Sequence, residues 1–148
     1  MMAGFKLPLS VLVVIYSADG QALLLERKDR PGFWQSVTGS CEAGEALIDT
    51  ARRELAEETG LDAPPAALSD WGLCNHYEIY EHWRHRYAPG VTHNQEHVFG
   101  LRLPAPLAVR LAPDEHLAWR WLPWDQAACA VFSPSNAAAL RLVPEKLR

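Results

Sequence analysis

Residues Gly39–Leu61 read GSCEAGEALIDTARRELAEETGL, and this stretch decides both the fold and the chemistry of the chain. Gly39, Glu45, Arg53, Glu54, Glu57, Glu58 and Gly60 stand at fixed offsets, with apolar Leu55 and Leu61 among them. Taken as a helix after Gly44, the stretch puts Glu54, Glu57 and Glu58 at i, i+3 and i+4, so three carboxylates share one face. Like charges so close repel each other. A hard divalent cation, which prefers oxygen ligands, gives them a reason to be there. The plain alternative is a solvated helix that happens to be acidic.

The surrounding chain fits a small enzyme. Its 148 residues make one domain, 1–148, large enough for a core, and 49% of them are apolar. The net charge is −4, and the segment Glu42–Glu58 alone carries six acidic residues against Arg52 and Arg53. The remainder is therefore close to neutral. Without a broad basic stripe, the composition argues against a duplex nucleic-acid binder. Cys41, Cys74 and Cys129 are odd in number and scattered, which suits idle thiols in a reducing cytoplasm. The apolar run Leu9–Tyr16 is too short to span a membrane and lacks the flanks of a signal peptide. Its valines and isoleucine predict a buried strand.

Further elements follow from local signals. Asp19-Gly20 predicts a hairpin turn into a second strand, Ala22–Arg27. The acidic helix is expected from about Glu45 to Thr59, stopped by Gly60 in the left-handed region. Ile48, Ala51 and Leu55 form its apolar stripe, beside the carboxylate face. Trp71–Tyr80, Glu96–Leu103 and Leu117–Leu122 read as strands. Asp125 is expected to cap one short helix and Ser135 or Asn136 a last one, which Pro144 interrupts or ends. Together these predict a mixed sheet between helices.

The spacing of the opening segment is Gly, five residues, Glu, seven residues, Arg-Glu-apolar, one residue, Glu-Glu, one residue, Gly-apolar. A chance match to its seven identities is on the order of one in 10⁸ per position. This pattern resembles the signature of the Nudix hydrolases. The resemblance implies an α/β/α sandwich with a mixed sheet, and a cation, magnesium or its substitute manganese, held by Glu54, Glu57 and Glu58. Glu54 and Glu58, a turn apart, are the primary ligands; Glu57 is a third ligand or orients water. Arg53 is expected to pair with Glu45 and brace the loop, and Gly39 to serve a backbone conformation that a side chain forbids. Magnesium on a diphosphate neutralises charge, orients the chain and acidifies water, and a free carboxylate can take the proton. A further carboxylate from outside the motif is expected to join the metal. Glu115 is the candidate, with Glu96, Glu78 and Asp114 as alternatives.

Phe33–Ser40, His85–Val91, Glu115–Ala118 and Ser133–Asn136 narrow the similarity. They resemble the bacterial branch of the family that releases pyrophosphate from dihydroneopterin triphosphate in the folate pathway, leaving the monophosphate. The partner implied is thus a small-molecule triphosphate, handled in the cytoplasm. Lys6 and Arg27 are expected to face one cleft as phosphate-binding cations, with solvated surface charges as the alternative. Thr38 could bond a phosphate or hydroxyl. The flat ring needs a slot of aromatic and hydrogen-bonding groups, which Tyr77, Glu78, Ile79 and Tyr80 supply. On a strand only alternate members of those four can face it. Ser133 offers a polar contact or merely a cap. The basic cluster from His82 to His93 is read as a mobile loop near the phosphates rather than a metal site. Most tryptophans are assigned to the core, with Trp34 as the pocket candidate.

Other substrates remain open within the family. Tyr77, sixteen residues beyond the motif, also suits hydrolases of dinucleoside polyphosphates, and oxidised nucleoside triphosphates are a further choice. A non-catalytic Nudix ligand-binding module is the reading from another class. The oligomeric state is not legible.

Overall fold

The computed structural model describes residues 4–148. Strand β1 (Leu9–Ser17) is buried along nearly its whole length, which a strand covered on both faces requires. Its alternation divides the core in two. Val11, Val13 and Ile15 pack with Leu23, Leu25, Val37, Ala51 and Leu55. Leu12, Val14 and Tyr16 pack on the other face with Leu24, Val98, Ala127, Ala139 and Leu140. Burying each such leucine contributes about 1.5–3 kcal/mol. Helix α1 (Leu47–Thr59) covers the first face; α2 (Trp124–Ala130), α3 (Pro134–Leu140) and α4 (Val143–Lys146) lie along the second. The expected α/β/α sandwich is therefore what the chain builds.

The sheet is mixed, as expected. β1 runs parallel to β6 (His93–Leu103) and antiparallel to β4 (Val37–Ser40). β2 (Gln21–Arg27) pairs antiparallel with β3 (Trp34–Gln35) and β7 (His116–Pro123), while β5 (Leu68–Glu78) borders β6. One feature of the pairing creates the cleft. β1 and β2 meet only beside their connecting turn, at Tyr16↔Ala22, and then part to take different partners. The open ends of β1, β2, β4 and β6, the end of β5 and the start of β7 all converge on that parting.

Several local expectations are corrected. α1 begins at Leu47, with Ala46 at its N-cap, because Glu45 is occupied outside the helix. Its carboxylate accepts from Glu42 N–H (3.1 Å) and Thr50 Oγ1 (2.7 Å) as well as from Arg53. Gly60 does end α1 at φ +74°. The strand expected to reach Tyr80 stops at Glu78, and Tyr80 precedes a 3-10 turn over Glu81–Arg86. Asp125 lies inside the first turn of α2 rather than capping it, and α3 is capped by Ser133, not by Ser135 or Asn136. Pro144 neither interrupts nor ends that helix. It sits in the first turn of α4, where a missing N–H costs nothing. Of the six tryptophans Trp71 is buried, and Trp34, Trp121 and Trp124 are partly buried against the core, as most were expected to be. No helix among the described residues is long and apolar enough to cross a membrane.

Candidate active site

A cavity of about 750 Å³ fills the parting of the sheet. α1 delivers Glu54 and Glu58 to it from one side, and both are buried, at 8% and 1% exposure. Their approach depends on Gly39. Its φ is not positive, so the expected backbone reason is wrong. A Cβ there would instead stand 2.0 Å from Glu54 Cδ, so the glycine exists to let the carboxylate pass. Glu115, in the turn just before β7, completes the corner together with His116. Ligand atoms of Glu58, Glu115 and His116 lie within 4.8 Å of one another. A bulge opposite Glu26/Arg27 makes His116 the partner of Arg27 and leaves Leu117 unpaired.

The electrostatics of this corner are unusual. Among the described residues neither oxygen of Glu58 makes a well-formed hydrogen bond, although Glu54 and the Thr38 N–H adjoin it, and His116 Nε2 stands 3.5 Å from Oε1. Burial, with the adjoining Glu54 and Glu115, pushes Glu58 well above the usual carboxylate range. Burial raises Glu54 as well, though Arg53 Nη1 donates to its Oε1 at 2.8 Å. His116 is lowered to about 4 by burial and the charge of Arg27, so it is neutral at pH 7. A deeply buried carboxylate with Glu54 and Glu115 beside it offers the anionic oxygens a hard divalent cation prefers, and the neutral His116 imidazole adds a nitrogen at the same corner. Glu57 stands apart. It is half-exposed, lies outside the cavity lining, and has Arg53 Nη1 at 3.6 Å.

Arg53 braces the loop. Its Nε and Nη2 grip both oxygens of Glu45 at 2.9 Å, and Nη2 also donates to Ser40 O at 3.0 Å. Arg53 is raised and Glu45 lowered to about 2, each first of all by their shared hydrogen bonds.

Lys6 and Arg27 both line the cavity, but they differ. Arg27 is committed: Nε and Nη2 clasp Asp29 at 2.8 Å, Nη1 donates to Gln35 Oε1, and its guanidinium lies 4.4 Å from the centre of the Trp83 ring. Arg86 holds the same Asp29 at 2.8 Å, and the two arginines keep that acid far below its ordinary range. Lys6 has no ion pair among the described residues, and burial followed by Arg86 and Arg27 lowers its ammonium. Arg86 is the member of the basic cluster that reaches the cavity; the segment is a 3-10 turn, not an open loop.

Thr38 lines the cavity while its hydroxyl donates to Val11 O at 2.9 Å. Tyr77, Glu78, Ile79 and Tyr80 all border it, because the strand ends at Glu78 and alternation no longer applies. Glu78 is largely exposed and 3.4 Å from Arg84. Tyr80 joins Trp83 and Phe132 in an aromatic group with ring centres 5.5–6.0 Å apart. The pocket tryptophan is thus Trp83; Trp34 lies outside the lining, under Arg120. Ser133 lines the cavity and caps α3. Asp29, Asn94 and Phe132 escaped the sequence reading, because only tertiary pairing brings them here. Asn136, expected as a cap, instead bonds Ser36 through both amide atoms at 2.9 Å and fixes α3 to the strand break before β4.

Comparison with known proteins agrees with this geometry. The model of the NUDIX domain matches residues 6–143. The dihydroneopterin triphosphate diphosphatase of Escherichia coli K12 is 46% identical over 139 residues, covering 92% of this chain and 91% of that protein. Its Haemophilus influenzae counterpart is 40% identical over 144 residues, covering 95% and 90%. The solved E. coli dihydroneopterin triphosphate pyrophosphohydrolase superposes with a TM-score of 0.88 at 45% identity, covering 93% of this chain and 94% of that one.

Proposed function

The chain belongs to the Nudix family and is a pyrophosphohydrolase, and on that premise we propose that it converts dihydroneopterin triphosphate to dihydroneopterin monophosphate and pyrophosphate. The observation that carries the reading is the Glu58 carboxylate, buried in the cavity wall and, among the described residues, without a hydrogen-bond partner, in a cavity whose Lys6 makes no ion pair with those residues. Glu54, Glu58 and Glu115 are assigned to a magnesium ion, for which manganese is the natural substitute, and Glu57 to the outer carboxylate of the same face. When bound, the cation supplies charge neutralisation and Lewis acidity toward the diphosphate.

The protein's own groups do the rest. Lys6 and the Arg27–Asp29–Arg86 group draw the phosphates in, Lys6 as a point charge and the arginines as a fixed planar surface. Thr38 and Ser133 offer hydroxyl oxygens along the phosphate path. Tyr77–Tyr80, with Trp83 and Phe132, close around the flat ring. Arg53 acts indirectly, by holding Glu45 and Glu54 in place. On this reading the protein is one domain over 1–148 that acts in folate biosynthesis in the cytoplasm, where its three free thiols stay reduced.

The test is product analysis with magnesium on dihydroneopterin triphosphate, dATP, 8-oxo-dGTP, diadenosine tetraphosphate and ADP-ribose. Release of pyrophosphate, with the highest kcat/KM on the pterin, is expected. Preference for a dinucleotide, or release of single phosphate, overturns the assignment.

A further inference from the structure

We propose that Glu96 reads the substrate's ring: its carboxylate accepts from the ring N–H and 2-amino group of a 2-amino-4-oxo edge, selecting pterin- and guanine-like rings over those without that amine. The inference rests on the pterin triphosphate reading and extends it to the residue that sets specificity.

Glu96 lies on β6, 4% exposed, and lines the cavity. Ser135 Oγ donates to Oε1 at 2.9 Å and Asn75 Nδ2 approaches it at 3.5 Å. Oε2 has no donor, and no cation pairs with the group, among the described residues. A carboxylate so enclosed is costly unless something supplies donors. Among the described residues Glu96 stands outside the cluster of metal-ligating groups formed by Glu58, Glu115 and His116.

The neighbours point the same way. Asn94, two residues earlier on the same face of β6, donates through Nδ2 to Ser10 Oγ at 2.7 Å and Tyr77 Oη at 3.0 Å. Its buried Oδ1 is left without a partner. This end of the cavity therefore accumulates acceptors, and the ligand that suits it presents donors. The Tyr77 hydroxyl, accepting from Asn94, keeps its own proton for a ring carbonyl. A 2-amino-4-oxo edge offers amine, ring N–H and carbonyl in a row, which is the complement of these groups.

The experiment compares dihydroneopterin triphosphate, GTP and ITP, as substrates or competitors, with wild type and Glu96→Gln. ITP has the guanine frame without the 2-amino group. Wild type should hold GTP about tenfold or more tighter than ITP. Glu96→Gln should raise KM for the pterin and GTP about 10- to 100-fold, with kcat little changed and ITP shifted less than about threefold. A purely structural role would lower the melting temperature and affect all three compounds alike, and that result overturns the proposal. So does a wild type that treats GTP and ITP equally, a measurement independent of whether the variant folds. If the pterin is not the preferred substrate, the function proposed above fails, and the GTP/ITP contrast still decides Glu96.

Discussion

Glu45 and Glu58 belong to one short segment and meet opposite fates. Glu45 has a partner for both oxygens, in Arg53, Thr50 and Glu42 N–H. Glu58 is more deeply buried and has none among the described residues. A buried carboxylate without donors costs stability, whereas a bidentate arginine pair adds to it. One motif thus contains a brace that is finished on folding and a reaction corner that is completed only by what binds there.

Neutralising the unpaired carboxylate should do the most damage to turnover. Glu58→Gln should lower kcat/KM on the order of a thousandfold, the several kcal/mol that metal-assisted charge stabilisation supplies. Its thermal stability should hold or rise, because a buried unpaired charge has gone. A variant that unfolds, or that keeps turnover, would place Glu58 with the brace. Next in size is the response to the cation. Magnesium at a hundred times its Kd should stabilise wild type by about 2.7 kcal/mol in urea titrations. The gain should persist in Glu45→Gln and vanish in Glu58→Gln.

On the paired side, Glu45→Gln should cost about 1.5–3 kcal/mol in the same titration, with a smaller loss of activity through a loosened Arg53. The smallest effect is its pH dependence. Glu45 titrates near 4.5 when unfolded and about 2 when folded. Its contribution is complete above the first value and is lost as pH falls toward the second. Wild type and Glu45→Gln should therefore converge in stability between about pH 4.5 and 2. Convergence on raising the pH instead would contradict the pairing.

What could be read in advance was whatever short spacing determines. The i, i+3, i+4 acids, the stripe of Ile48, Ala51 and Leu55, the Gly60 stop and the Arg53–Glu45 pair all follow from helical geometry. The two-faced burial of β1 follows from its continuous apolar run. The placement of Glu96, Asn94 and Asp29 did not, because it depends on where β1 and β2 part and on the register of β6 against β1. Tyr77–Tyr80 all border the cavity, but the rule of alternation failed there, since the strand ends within the segment. Glu115 was legible only through resemblance; His116 needed the bulge in β7 to bring it beside Arg27.

The contact between Gly39 and Glu54 has a consequence for how such a chain can change. The space a β-carbon would occupy at position 39 is already filled by the carboxylate from α1. The two positions are therefore coupled: a bulkier residue at 39 is admissible only with a shorter acid at 54, and on its own it displaces the carboxylate. The fixed interval between glycine and glutamate is the imprint of a single contact between strand and helix, written twice in the sequence.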